Sequence, residues 1–261
     1  MKRRIKFAVS LGVRAFDILR GGLLRLLGRL PPSVCVILYY HAVPRAARAG
    51  FARQMDELLR LARPIRCDES DGLRPGERYA AVTFDDGFVS VLDHALPELE
   101  ARSIPVTIFV PSGSLGQRPL WVRDPQFPTY HEQVASAELL ARIGEHPLVS
   151  IGSHSVSHPN FLKIEEGDAS VEFSRSKQRL EEILGRKVTL FSFPHGAHNS
   201  RLVEMAREAG YSHVFTIEPN LAYKNSAERM VGRVAVEPDD WPMEFRLKLA
   251  GAYRWLAKSW A

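Results

Sequence analysis

Two adjacent carboxylates, Asp85 and Asp86, stand in the run Thr83-Phe84-Asp85-Asp86-Gly87, directly after the apolar stretch Tyr79-Ala80-Ala81-Val82. That stretch reads as a buried strand. Paired carboxylates at the end of a buried strand are costly unless a cation neutralises them, and a metal is the cation the sequence best provides for. His154 and His158, in His154-Ser155-Val156-Ser157-His158, have the spacing that lets two imidazoles aim at one point from a helical turn or a tight loop. Two histidines and one carboxylate leave coordination positions open for water and substrate, as a catalytic metal requires. Zinc suits this donor set; cobalt, nickel and iron also fit it. One aspartate can bind the metal while the other takes a proton from the water that the metal makes acidic. Attack of that water on a carbonyl creates an oxyanion, which needs the metal and a backbone N–H, and a leaving group, which needs an acid. Asp-Asp-Gly alone is commonly a turn, and His-x3-His alone is often a solvated helix face. Their joint occurrence points to a metal-dependent hydrolase.

The elements that must position these residues alternate. Strands are predicted over 34–40, 79–84, 106–110, 148–152, 188–193 and 213–217. Helices are predicted over 51–62, 89–102, 170–184, 201–209 and 243–256. This alternation predicts an α/β fold with a parallel sheet, open or closed into a barrel, whose active site collects at the C-terminal ends of the strands. The suspect residues obey that rule: His41 follows one strand, Asp85 and Asp86 a second, His154 a third, and Pro194-His195-Gly196 a fourth.

The 261 residues suffice for one large domain, and 25% charged with 45% hydrophobic residues is ordinary globular composition. The net charge of +5 is local: residues 1–30 carry eight basic residues against one acid, Asp17, and the remainder has 27 basic and 29 acidic residues. A near-neutral body with no nucleic-acid motif argues against nucleic-acid binding. The two cysteines, Cys35 and Cys67, do not make a disulfide framework; Cys35 lies in an apolar run and reads as a core residue.

Residues 1–32 form a basic amphipathic segment ended by Pro31-Pro32, and 33–261 the catalytic domain. At 100° per residue, Ile5, Val9, Phe16, Leu19, Leu23, Leu26, Leu27 and Leu30 share one helical face, with Arg3, Arg4, Arg14, Arg25 and Arg29 roughly opposite. Lys2 belongs to the same basic cluster, and Gly21-Gly22 is a point at which the helix could divide. Three readings stand: a helix on anionic lipid, a helix packed on its own domain with a solvated basic face, and a signal peptide. Arg14 interrupts the apolar stretch, no small-residue cleavage site follows closely, and no uncharged run approaches transmembrane length. The expected location is cytoplasmic, or peripheral on the cytoplasmic face of the inner membrane.

In these motifs the chain resembles the polysaccharide deacetylases of carbohydrate esterase family 4, over about residues 34–250. Thr83-Phe84-Asp85-Asp86-Gly87 is similar to the family's first motif, His154-Ser155-x-x-His158 to the second, and Phe191-Ser192-Phe193-Pro194-His195-Gly196 to the third. The run Ile104-Pro105-Val106-Thr107-Ile108-Phe109-Val110 resembles its second core strand. The resemblance implies a distorted (β/α) barrel, one divalent metal, and hydrolysis of N-acetyl or O-acetyl groups on a sugar. It makes Asp85 the general base and Asp86, His154 and His158 the metal ligands. Pro194 and His195 fall at the oxyanion and substrate position, with a backbone N–H near His195 as donor. Two departures stand out. Ser192 occupies the place where the third motif often carries a base-orienting arginine, and Arg233 is the candidate replacement. No histidine follows His213, whereas His41, in Leu38-Tyr39-Tyr40-His41-Ala42-Val43, matches the branch of exopolysaccharide deacetylases whose catalytic histidine comes first. His41 is therefore the candidate acid. Asp239-Asp240-Trp241 reads as a helix N-terminus capped by an aspartate rather than the family's late Asp-Trp motif, Trp121 as a possible sugar-stacking residue, and His198 as a loop residue. The expected partner is an acetylated polysaccharide or lipid-linked saccharide, with an anionic membrane surface against residues 1–30. A small amide or cyclic imide is the alternative substrate, and an idle carbohydrate-binding or membrane-associated partner the non-enzymatic alternative.

Overall fold

Alternation along the strands decides what faces the centre of this molecule. In a computed structural model describing residues 3–224, 228 and 230–257, strand β1 (Val34–Tyr40) turns Val36, Leu38 and Tyr40 into one apolar cluster and Cys35 and Ile37 into another. Lys2 lies outside the described residues. After a two-residue strand β2 (Arg63–Pro64), β3 (Arg78–Phe84) repeats the pattern, with Ala80, Val82 and Phe84 on the first side and Tyr79 and Ala81 on the second. The first cluster takes in helix residues such as Phe51, Leu99, Phe173 and Leu202 and is the layer between sheet and helices. The second is built around strand residues, including Phe109, Leu190, Phe215 and Val231, and fills the concave side of the sheet. Thr83 and Asp85 continue the Tyr79–Ala81 parity and therefore point to that concave side.

The sheet continues with β4 (Val106–Val110), β5 (Val149–Ser153), β6 (Leu190–Ser192), β7 (His213–Phe215), β8 (Met230–Val231) and β9 (Val234–Ala235). The strand order is β8-β7-β6-β5-β4-β3-β1-β9, with β2 added to β3, and every pairing is parallel. The two ends of this order, β8 and β9, are joined by only Gly232 and Arg233. Three Cα steps of ~3.8 Å hold those edges within roughly 11 Å of each other, so the sheet has to curl round. The expected distorted barrel of parallel strands thus forms, with Arg233 at its seam.

The helices are α1 (Arg3–Leu26), α2 (Arg48–Leu61), α3 (Leu96–Glu100), α4 (Ala137–Gly144), α5 (Glu166–Leu184), α6 (Ser200–Glu208) and α7 (Pro242–Leu249). The single helix predicted over 89–102 is instead a widened π turn, Val91–Ala95, followed by α3. Pro97 is the cause, since its nitrogen cannot donate to the carbonyl one turn back. Helix α4, absent from the sequence prediction, is capped by Ser136, whose side chain accepts from the Leu139 amide. The last predicted helix, over 243–256, stops at Leu249, where Gly251 takes a φ of +70°. Its N-cap is Trp241 with no side-chain cap; Asp240 instead accepts from the Glu237 amide and pairs with Lys248 at 2.6 Å.

Helix α1 is one unbroken helix through Gly21 and Gly22, and it docks by its polar side. Arg3 pairs with Glu244 at 2.6 Å, Asp17 makes a bidentate pair with Arg254 at 2.7 and 2.8 Å, and the Trp255 indole donates to Ser10 at 3.0 Å. Phe7 packs edge-on to Trp241. The expected apolar face is the one left in solvent: Phe16 is 62% exposed, Leu19 74%, Leu23 58% and Leu26 86%. The helix thus packs on its own domain with Arg4, Arg25 and Arg29 exposed, and its leucine face is solvated as well.

Gly152 pairs in register with Phe109, and a Cβ there would lie 2.5 Å from the Phe109 ring and 3.2 Å from the Leu190 carbonyl oxygen. Gly152→Val is expected to overpack the barrel interior and cost about 1–3 kcal/mol of stability, measured by urea unfolding. Unchanged stability would show that Phe109 has room to move.

Candidate active site

Asp85 leaves β3 with its amide bonded to the Tyr40 carbonyl at 2.9 Å, and its side chain is buried on the concave side. Both carboxylate oxygens meet Arg233, Oδ1 to Nη1 and Oδ2 to Nη2, each at 2.7 Å. Arg233 is completely buried. Its remaining donors reach the Thr216 carbonyl at 3.2 Å, the Thr83 hydroxyl at 3.1 Å and the Ser192 hydroxyl at 2.7 Å. All five guanidinium N–H groups are thus satisfied. The guanidinium also lies against the rings of Tyr39 and Phe109, 4.8 and 5.2 Å from their centroids. Burial alone pushes the Asp85 carboxyl up, but the charge of Arg233 and the hydrogen bonds it donates outweigh it. Asp85 is held well below the ordinary carboxylate range and stays ionised. Ser192 accepts a hydrogen bond from Arg233 in the position where an arginine was expected, so the cation arrives from the barrel seam instead.

Asp86 turns the other way. It takes a φ of +70°, and the following Gly87, also at positive φ, has no room for a Cβ, which would fall 2.9 Å from Val110 Cγ2. The turn carries the Asp86 carboxylate to His154 and His158, with Oδ1 at 3.7 and 3.3 Å from their Nε2 atoms. The three donor atoms lie within 4.8 Å of one another, and all three residues are buried. Among the described residues, no hydrogen bond reaches Asp86 Oδ1, a buried carboxylate oxygen facing two ring nitrogens. The His154 Nδ1 lies 2.7 Å from the Ser192 carbonyl oxygen and must donate to it, which frees Nε2 as a lone-pair donor. Burial lowers the His154 imidazole to about 4, so the ring is neutral at neutral pH. An orphaned carboxylate oxygen facing two imidazole nitrogens suits a divalent cation. Asp85 is not part of this triad, because both of its oxygens belong to Arg233.

The loop that carries the two histidines is tied down by α5. Glu172 accepts from the amides of Val156 and Ser157 and from the Ser157 hydroxyl, at 2.7, 3.0 and 2.6 Å. Ser176, one turn on, donates to the Ser155 carbonyl at 2.8 Å and shares a hydrogen bond with Ser153. Ser155 and His158 both adopt positive φ, a strained conformation that these bonds enforce. Glu172 escaped the sequence reading because it is separated from the loop by a turn and lies on the polar side of a helix. Trp121 stacks on His158 at 4.3 Å between centroids, so one of its faces is used on a candidate ligand.

His41 lines the same cleft as Asp85, Asp86, His154, His158 and His195, in a cavity of about 860 Å³. Its ring sits edge-on to Tyr39, 5.7 Å between centroids. The His195 turn is left-handed, with φ +57°, and its ring sits edge-on to His158 at 4.6 Å. Pro194 is buried, without an N–H to give, and the Gly196 and Ala197 amides already donate to Phe193 and Pro194. His198 is buried in its loop, stacked on Phe193. Asp239 reaches the cleft wall.

The sequence and the fold are similar to those of known proteins. The polysaccharide deacetylase family model matches residues 72–214, a span that holds Asp85, Asp86, His154, His158, Pro194 and His195 but neither His41 nor Arg233. The chain is 26% identical to the Bacillus subtilis (strain 168) protein YxkH over 165 residues, 63% of this chain and 54% of that one. It is 21% identical to the poly-beta-1,6-N-acetyl-D-glucosamine N-deacetylase of Staphylococcus aureus (strain MRSA252) over 172 residues, 62% of this chain and 56% of that one. It spans little more than half the length of these curated relatives. Among solved structures it is similar to IcaB from Ammonifex degensii, with a TM-score of 0.69, 28% identity, and coverage of 85% of this chain and 99% of that one. The Streptococcus pyogenes deacetylase PplD shares the fold, with a TM-score of 0.64, 16% identity, and coverage of 84% of this chain and 98% of that one. With more than half of the sequence matched and the motif side chains converging in one cleft, the chain belongs to the polysaccharide deacetylase family.

Proposed function

We propose that the protein is a metal-dependent N-deacetylase of a polysaccharide or lipid-linked saccharide made for the cell surface. The observation that carries this reading is an ionised Asp85, locked by Arg233, beside the Asp86–His154–His158 triad and in one cleft with His41. A divalent cation such as zinc, held by the triad, supplies the Lewis acidity that activates water and polarises the acetyl carbonyl. Asp85 accepts the proton of the attacking water, and Arg233 fixes the plane of its carboxylate. The His195 N–H donates to the oxyanion. His41 protonates the departing nitrogen, leaving a free amine and acetate. The relative from Staphylococcus aureus acts on a poly-N-acetylglucosamine by its name, and this supports an N-acetylated sugar polymer as the substrate class.

Acetate release from N-acetylglucosamine oligomers is expected to disappear with a chelator and to fall about 10²–10⁴-fold in Asp85→Asn and in His41→Asn, with metal content retained in both. Turnover of small amides or cyclic imides in place of the oligomers would move the assignment to that chemistry, and no turnover of either would favour an idle site.

Removing the guanidinium has a signed consequence. Without Arg233, burial raises the Asp85 pKa, so Arg233→Met is expected to move the acidic limb of kcat/KM to higher pH as well as lower the rate. Arg233→Lys, which keeps a charge but not the bidentate fork, should fall between the two and guards against simple unfolding. An unmoved acidic limb in a folded, metal-loaded Arg233→Met would exclude this role.

The outward apolar stripe of α1 supports a peripheral membrane location, since no described helix is long and apolar enough to cross a bilayer. Arg4, Arg20 and Arg29 are exposed along the same helix and its exit. The double change Leu19→Glu and Leu23→Glu should cut binding to phosphatidylglycerol vesicles at least about tenfold while leaving acetate release from soluble oligomers intact. Equal vesicle binding by the variant would separate the helix from any membrane role.

A further inference from the structure

At the end of the barrel opposite the catalytic cleft, the second half of α1 roofs a cavity of about 480 Å³. Its floor is the start of the sheet, where Val34 of β1 pairs in register with Arg78 of β3. Five arginines line it, Arg14, Arg20, Arg25, Arg78 and Arg254, against two acids, Asp17 and Glu77. Both acids are already engaged. Asp17 is bidentate to Arg254 at 2.7 and 2.8 Å, and Glu77 accepts from the Tyr79 hydroxyl at 2.6 Å. Among the described residues, Arg14, Arg20, Arg25 and Arg78 form no ion pair within 4.0 Å.

Arg78 is the informative member. It is half-buried, fixed on a strand rather than on a mobile loop, and its guanidinium is disfavoured by burial and by the charge of Arg14, with Asp17 only partly offsetting them. Unpaired guanidinium groups lining one cavity, with Arg14 and Arg78 half-buried and Arg20 and Arg25 at its exposed rim, repel one another, and an anion there relieves the repulsion. Planar forks of this kind match the tetrahedral oxygens of phosphate, to which they donate in pairs. Ile18, Leu24 and Leu221 line the same space and would take an apolar substituent on that phosphate.

We propose that this arginine-lined cavity beneath α1 binds a phosphate ester. The ester is either a phospholipid headgroup, reached as the helix lies on a bilayer, or a free soluble phosphate ester. The site is remote from Asp85 and its partners, so the proposal stands or falls independently of the deacetylation chemistry.

The test titrates the full chain with glycerol 3-phosphate by calorimetry, and separately with phosphatidylcholine vesicles with and without phosphatidylglycerol by flotation. Saturable binding of glycerol 3-phosphate, weakened at least about tenfold by Arg14→Gln and by Arg78→Gln, is the expected result. Arg175→Gln, which removes the same charge from the exposed side of α5, should leave it unchanged. Arg78→Lys should restore part of the affinity and controls for loss of folding. If Arg14→Gln and Arg78→Gln also weaken binding to phosphatidylglycerol vesicles more than Arg175→Gln does, the source is a lipid headgroup; if only the soluble ester responds, it is a free phosphate ester. No saturable binding of either probe, or equal losses in the Arg175→Gln control, would overturn the site. Acetate release, expected to be unchanged throughout, reports separately on the catalytic end.

Discussion

The contact between Arg233 and Asp85 is where the barrel closes, beside the candidate metal triad. A buried ion pair is costly to assemble, because both ions lose their water. It survives here because nothing in it is left unpaired: the carboxylate is met by two N–H groups, and the guanidinium spends its other donors on Thr83, Thr216 and Ser192. Those partners belong to β3, to the residue after β7 and to β6, while Arg233 itself joins β8 to β9. The same hydrogen bonds that settle a charge therefore hold separated strands at fixed distances. The seam residue is restricted in kind, since lysine has neither the planar fork nor enough donors to serve this set.

Around that fixed point the candidate metal triad is held by strain rather than by regular structure. Of the six described non-glycine residues at positive φ, four are Asp86, Ser155, His158 and His195. Each costs on the order of 1–3 kcal/mol and persists only because its surroundings compel it. The compulsion is visible in Glu172 and Ser176, which use one face of α5 to pin the loop between the two histidines, and in Val110, which leaves no room for a side chain at Gly87. Strain of this kind preorganises the donors so that a cation meets them already facing one another. It also explains why Asp85 and Asp86, neighbours in the chain, have such different surroundings: the strand ends between them, and the left-handed residue sends the second side chain away from the guanidinium.

The strands, their parallel arrangement and the gathering of His41, Asp85, Asp86, His154 and His195 at one end were legible because they depend on period and on the strand-end rule, both local properties. The pairing of Asp85 with Arg233 was suggested only by family position, since 148 residues separate them and no local pattern marks a residue that closes a barrel. Glu172 and the face of Trp121 that stacks on His158 were illegible for the same reason. The π turn before α3 was missed in a single helix predicted over 89–102, although its cause, Pro97, acts locally on the hydrogen-bond ladder. Helix α4 follows a recognisable Ser136 cap, but its eight residues are short for a reading by periodicity alone.

Helix α1 shows where periodicity stops being informative. An amphipathic pattern states that a helix has two faces, and it does not state which face the rest of the chain will accept. Here the choice is made by Glu244, Arg254 and Trp255, which offer polar partners to Arg3, Asp17 and Ser10 along one side of the helix. With those contacts made, the leucine side has nowhere to go but outward. Turning the polar side inward also carries Arg14 into a space that already contains Arg78, and so concentrates positive charge under the roof of the cavity. The exposed apolar stripe and the arginine-lined cavity are thus two results of one docking choice, and both lie away from the cleft that Asp85 and His41 line.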